Sequence, residues 1–408
     1  MNIRVDLRST GSFLGSVLKY LSVPLLIPLG TALVYRENIV PFVTTIVVVL
    51  TLGYMLERLT SDPTLGLAEG FLFVGLTWIV VPFVGTLPYL IAGNGTVAMP
   101  VNALFESMSG FTTTGATVLG EISFQRHSHS ILMWRQLTQW LGGMGIVVLM
   151  VAILPELGAG GAKLVESEVP GLEIEKLTPR IARTARVLWL LYIGFTVVLI
   201  VILYGLHLIG KAPNMGLYNA IAHALTTMPT GGFSPEPRSI EPFAPIVQWV
   251  IMVFMIIAGT NFALFWHVRR GNPRLLTHNP EFRMFLIAIG IVGSMASILL
   301  VTGWGLAMNP TGIDTLPGNV GNSFRQGFFQ AISIVTTTGY ASMDFNSWST
   351  PAQYLLLSAM FLGGSAGSAA GSIKIIRWLV IGKVIRSELF TTGRPSAVSP
   401  VRFGRKVI

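Results

Sequence analysis

The chain has 408 residues, 52% hydrophobic and 11% charged, with a mean hydropathy of +0.67; soluble domains carry about 25% charged residues, so this is a membrane protein. Cysteine is absent, which excludes disulfides and cysteine-based metal or redox sites. The net charge of +9 does not imply a nucleic-acid partner, because the basic residues fall between apolar segments rather than on one soluble face.

Residues 1–11 contain Arg4, Asp6 and Arg8 and precede an apolar run with no small-residue cleavage site after it. That run reads as a retained span, not a removed signal peptide. A span needs roughly 20 apolar residues. Such runs occupy about 12–35, 39–56, 70–92, 131–154, 184–209, 245–267, 283–303 and 352–382, and predict an all-α integral membrane fold. Polar, glycine-centred stretches follow the third, fifth and seventh runs on one template. Residues 102–109 lead into Thr112-Thr113-Thr114-Gly115, residues 219–226 into Pro229-Thr230-Gly231-Gly232, and residues 326–333 into Thr336-Thr337-Thr338-Gly339. Gly115, Gly232 and Gly339 lie 117 and 107 residues apart. The repeat unit is span, short re-entrant pore helix, loop, span. Residues 1–66 supply two extra N-terminal helices, 67–160 the first repeat, 161–272 a linker and the second repeat, 273–385 the third, and 386–408 a basic tail.

With the N-terminus inside, 21 of the 27 Lys and Arg residues face the cytoplasm and only Arg36, Arg126, Arg135, Lys211, Arg238 and Arg325 fall outside. This positive-inside bias puts all three Thr/Gly loops on the external side. Residues 155–183, with Glu166, Glu168, Glu173 and Glu175, read as a cytoplasmic connector.

Non-helical backbone at membrane depth is tolerated only where it is buried in protein or lines water. Glycine allows the positive φ that points successive carbonyls the same way. Threonine adds a hydroxyl oxygen. Rings of neutral oxygens of this kind replace the hydration shell of a monovalent cation. The loops contain no Asp or Glu, which argues against a calcium-type site. The ion-binding candidates are therefore Thr113, Thr114, Gly115, Thr230, Gly231, Gly232, Thr337, Thr338 and Gly339. Small-residue helix packing is the competing account of any one loop, but three in register after matching short helices favour a filter.

Glu106 is expected inside the first pore helix, supporting the filter's shape by hydrogen bonds rather than coordinating an ion. His223 and Gln330 share its template position. Arg135 reads as an interfacial anchor, and His127 and His129 as polar external-loop residues. Glu121, Glu236, Glu241, Asp314 and Asp344 fall in external loops, as mouth charges that concentrate cations or as ordinary solvated residues. In the eighth run, Gly363, Gly364, Gly367 and Gly371 stand among Ser365, Ser368 and Ser372. Each interior Gly costs about 1 kcal/mol relative to Ala, so a broken helix is expected over about 363–372. Lys374 and Arg377 read as snorkelling to the inner interface. No catalytic triad, carboxylate pair or phosphate loop indicates an enzyme, and no cofactor is implied.

These loops, with Thr338-Gly339-Tyr340, Trp134-Arg135-Gln136-Leu137, Trp140-Leu141-Gly142-Gly143-Met144-Gly145, residues 175–181, Asn261-Phe262-Ala263-Leu264, Pro280-Glu281-Phe282-Arg283 and residues 363–368, resemble the Trk/Ktr/HKT potassium transporter superfamily, nearest to its TrkH-type pore subunits. The resemblance covers about residue 70 to the end. It implies a pseudo-fourfold pore with one filter glycine per repeat, of which three of four are found here. It implies that Gly115 favours potassium over sodium, and that Gly363, Gly364, Ser365, Gly367, Ser368 and Gly371 form a gate loop. It further implies a homodimer in the cell inner membrane, a cytoplasmic nucleotide-binding regulatory subunit as partner, and potassium as the ion carried. A fourth repeat, with the arginine its second span normally carries, is not found after the basic tail. The chain therefore reads as shortened, with two alternatives: a non-conducting remnant or scaffold that needs a fourth repeat from elsewhere, and a sodium-permeable relative.

Overall fold

The computed structural model describes residues 5–60, 66–153, 181–306, 316–393, 402–403 and 406–407. Most of the 155–183 connector, including residues 175–180 of the family motif, and Asp314 lie outside them. The chain divides into two units: Met1–Met255 with Thr338–Asp344, and Ile256–Thr337 with Phe345–Ile408.

The first unit opens with α1 (Leu7–Leu21), capped by the Asp6 carboxylate, which accepts from the Arg8 and Ser9 amides. A turn at Ser22–Leu25 containing Pro24 separates it from α2 (Leu26–Tyr35), and the two make one apolar span, Leu7–Tyr35. The return helix α3 (Val40–Glu57) lies close to α1 because Gly15 faces Gly53: a Cβ on Gly15 would sit 2.6 Å from the Gly53 carbonyl. Glu57 closes this pair through Lys19 and the Ser16 hydroxyl. Helices α4 (Leu67–Gly85) and α5 (Leu87–Ala92) form the third span. Then come α6 (Pro100–Phe111), the short α7 (Phe124–His127), α8 (His129–Ile153), α9 (Ile181–Leu208), α10 (Leu217–Thr227) and α11 (Pro245–Ala258).

Helices α6 and α10 have 12 and 11 residues. At 1.5 Å per residue they reach about 18 Å, short of the roughly 30 Å hydrocarbon core. They are half-spans, as the template predicted. Both carry a polar inner face (Glu106, Ser107 and Ser109; His223, Thr226 and Thr227), buried against α8 and the loops. Helix α8 approaches α6 at a glycine: any Cβ at Gly142 would collide with the Phe111 carbonyl. The indole of Trp134, fully buried, donates to the Gly85 carbonyl at 3.0 Å and fixes α8 against the end of α4.

The second unit holds α12 (Phe262–Arg269), α13 (Arg274–His278), α14 (Pro280–Val301), α15 (Val320–Val335), α16 (Thr350–Ala359) and α17 (Ile375–Gly393), and a short antiparallel pair, Arg402–Phe403 with Lys406–Val407. Asn279 caps α14, with Pro280 at its first turn. The half-span α15 lies along α14, where Gly327 sits against Ser297 and Gly293 against the Phe328 ring.

Two spans differ from unbroken helices. The eighth run is interrupted over 360–374, bracketing the predicted break. The sixth, read as continuous over 245–267, is broken too: the chain bends by 97° between α11 and α12. Gly259 and Asn261 make this second break, and the Asn261 side chain caps the new helix by accepting from the Ala263 amide.

Candidate functional site

The three Thr/Gly loops share a backbone signature. Thr113, Thr230 and Thr337 have φ of 53°, 55° and 56°, and Gly115, Gly232 and Gly339 have φ of 75°, 76° and 81°. A β-branched residue in the left-handed region is a strained outlier. The same strain at three equivalent positions, each two residues before a left-handed glycine, is the conformation imposed by one repeated design. Each loop is tethered to its own short helix: the Thr114 amide to Ser109, that of Gly231 to Thr226 and that of Thr337 to Ile334, all at 3.0 Å.

In the first unit successive loops touch. A Cβ on Gly115 would collide with the Gly231 carbonyl, and one on Gly232 with the Thr338 carbonyl. A Cβ on Gly339 would meet no described atom within 4 Å. Thr230, Gly231 and Thr338 are buried, whereas Thr112, Thr114 and Gly339 are exposed.

Buried polar side chains hold the row. Gln139 of α8 donates to the Gly231 carbonyl at 2.7 Å and accepts from the Phe233 amide at 3.0 Å, gripping both sides of Gly232. Glu106 accepts from the Thr117 hydroxyl at 2.9 Å, the Val118 amide at 3.0 Å and Arg135 at 2.6 Å. It thus contacts the descending limb of the first loop, as expected of a supporting residue. His223 lies 3.1 Å from the Ser234 hydroxyl, the same offset of eleven residues as Glu106 to Thr117. Tyr340 anchors the third loop segment by donating to the His223 carbonyl at 3.1 Å and meeting the Thr226 and Thr227 hydroxyls.

Arg135 is not an interfacial anchor. It is 2% exposed, pairs with the fully buried Glu106, donates to the Ser234 carbonyl at 3.1 Å and stacks 3.5 Å from the Phe233 ring centroid. It joins the first loop's support to the second loop. The histidines also differ from solvated loop residues. His127 is 1% exposed. His129 starts α8 sandwiched between Tyr35 (3.8 Å) and Phe124 (4.1 Å), with Glu37 at its Nδ1. Among the acidic residues read at the mouth, Glu241 pairs with Arg238 and Asp344 is exposed.

In the second unit the 360–374 loop folds onto the break after α11. The Ser365 amide donates to Gly259, that of Ala369 to Ala258, and that of Phe262 to Gly367. Gly367 needs its left-handed φ of 74°, and a Cβ there would press on Asn261. The Gly363 and Ile375 amides close the loop on Ile373 and Gly364. Gly371 donates to the Thr337 hydroxyl at 2.7 Å, so the loop reaches the residue preceding Thr338. Lys374 does not simply snorkel; its ammonium donates back to the Ala370 carbonyl. Ser368 bonds the Ser365 carbonyl at 2.6 Å.

Two participants carry no assigned role in the sequence reading. Glu281 is 7% exposed and accepts from the Ala366 amide at 2.6 Å. Asn261 caps the kink against Gly367. Both stand in quoted family motifs, but only their partners in space reveal what they do.

Comparison with known proteins agrees with this geometry. The profile of the TrkH family, described as a cation transport protein, matches residues 38–408. The Trk system potassium uptake protein TrkH of Escherichia coli K12 is 36% identical over 98% of this chain and 80% of its own length. TrkG of the same strain is 34% identical over 95% of this chain and 76% of its own. The crystal structure of the potassium transporter TrkH from Vibrio parahaemolyticus superposes with a TM-score of 0.79, at 34% identity, over 99% of this chain and 80% of that one. Residue motifs, fold and relatives agree, and the chain belongs to the TrkH family of cation transport proteins.

Proposed function

We propose that this chain takes up potassium across the cell membrane as the ion-conducting subunit of a Trk-type system. The observation that carries the reading is the repeated left-handed pair: Thr113 with Gly115, Thr230 with Gly232, Thr337 with Gly339. Alternating handedness lines carbonyl oxygens along one direction, so Thr113–Gly115, Thr230–Gly232 and Thr337–Gly339 form the selectivity filter. Potassium leaves its water for these neutral oxygens, and the electrochemical gradient drives it through. Glu106, Arg135, Gln139 and His223 keep the loops from collapsing when an ion leaves. The exposed Gly339 and the exposed Thr112 and Thr114 fit a fourth loop of the same kind, which completes the ring.

The loop holding Gly363, Gly364, Ser365, Gly367, Ser368 and Gly371 is the gate. Its contacts are mostly backbone hydrogen bonds to a second helix break, which can be exchanged at low cost. The N-terminus is cytoplasmic, in the inner membrane, and the complex is a homodimer bound to a cytoplasmic nucleotide-binding subunit. Rubidium uptake by a potassium-transport-deficient cell tests the function. Expression of this chain together with a supplied fourth loop should restore uptake, and Gly232→Ala should abolish it. No uptake from correctly inserted protein overturns the reading, and equal sodium uptake replaces it with the sodium-permeable one.

A further inference from the structure

Helices α1, α4, α8 and α9, with Phe111 of α6, line a cavity of about 500 Å³. Leu21, Trp78, Val81, Leu141 and Trp189 line it, and among the described residues no charged side chain does. Its volume falls within the ~300–1,000 Å³ of ligand pockets. Water does not suit it, because a buried water needs two to four polar partners and apolar cavities stay dry. The hydroxyl of Thr77 in the wall already bonds the Phe73 carbonyl at 2.8 Å. An empty cavity would forfeit dispersion contacts along its whole lining. Tyr20 and Val23, also in the wall, are 64% and 62% exposed and connect it to the lipid-facing surface. Among the polar atoms of the lining, the indole N–H of Trp189 is buried and has no acceptor among the described residues. Lys19, beside Tyr20, is already paired with Glu57, so recognition rests on hydrocarbon rather than on an anionic headgroup.

We propose that this cavity binds one acyl chain of a membrane phospholipid, packed against Trp78 and Phe111, with an ester carbonyl accepting from Trp189. Gly145 supplies the test. It lines the cavity, and a Cβ there meets no described atom within 4 Å, so a larger side chain has room to fill the space. The full chain is placed in nanodiscs of dioleoyl phosphatidylcholine and released in native mass spectrometry. Wild type and Gly145→Ala should retain one phospholipid per chain at the collision energy that strips the rest. Gly145→Phe and Thr77→Phe should lower the retained fraction at least fivefold. Equal retention in all four proteins, or none in wild type, overturns the proposal. A second measurement does not depend on the filled variants folding. In bilayers with brominated acyl chains, the fluorescence difference between wild type and Trp189→Phe should be quenched at least twofold, and an unquenched difference also overturns it.

Discussion

Gly232 shows most plainly why single residues matter here. Its φ of 76° would cost an alanine ~1–2 kcal/mol, and the added Cβ would also strike the Thr338 carbonyl. Gly339 carries the same conformational demand, but a Cβ there would meet no described atom within 4 Å. Rubidium uptake should therefore fall at least tenfold further in Gly232→Ala than in Gly339→Ala, at equal membrane expression. Gly115→Ser should weaken the preference for potassium in sodium–potassium competition, and unchanged selectivity would count against the filter assignment. Arg135 and Glu106 form the other residue-scale test. Breaking a buried ion pair from one side leaves an uncompensated charge and costs about 3–5 kcal/mol. Arg135→Met should destabilise the detergent-solubilised protein to that extent. Adding Glu106→Leu should recover part of the loss, because the orphaned carboxylate goes with it; a double variant worse than the sum of the singles would contradict the pairing. The left-handed Thr/Gly loops were legible in sequence because backbone demands leave a residue signature: glycine where φ must be positive, threonine beside it. Arg135 was not, because a charge at the start of an apolar run looks the same whether it faces the interface or a carboxylate 29 positions away.

At the scale of elements, hydrophobic run length located the five unbroken apolar spans found among the described residues. Glycine density located the break over 360–374. The break after α11 escaped notice because one Gly259 in an apolar run is common, and what unwinds the helix there is the long-range docking of Ser365, Ala369 and Gly367. Glu281 secures that docking. Removing its carboxylate orphans the Ala366 amide, which costs about 1–3 kcal/mol. Hydrogen exchange at residues 364–369 should accelerate at least tenfold in Glu281→Leu and stay near wild type in Glu281→Gln, which keeps an acceptor; equal exchange in the two would deny Glu281 this role. Ser372 holds a φ of 60°, so Ser372→Gly should relieve strain and raise thermal stability slightly. At the turn after α2, burial raises the Glu37 carboxyl, but hydrogen bonds from Ser130 and His129 outweigh it and leave it below the ordinary glutamate range. A depressed carboxylate contributes stability above its unfolded value and loses it as pH falls through the folded one. The tie from α2 to α8 should accordingly weaken only below about pH 4, and Glu37→Gln should flatten that acid limb in a thermal-stability scan.

For the molecule as a whole, composition alone placed the chain in a membrane, and the threefold recurrence of one template suggested a ring. What sequence could not supply was the order of contact: Gly115 on Gly231, Gly232 on Thr338, and an exposed Gly339. That order sets the first loop against the second, and the second against Thr338 of the third. The chain spans 80% of the length of the Escherichia coli and Vibrio TrkH proteins. The most direct test is crystallographic. Anomalous scattering from crystals equilibrated with rubidium should show a peak among the carbonyls of Gly115, Gly232 and Gly339, absent when sodium replaces it; rubidium bound elsewhere, or no peak at these carbonyls, would contradict the assignment of the three loops as a potassium filter.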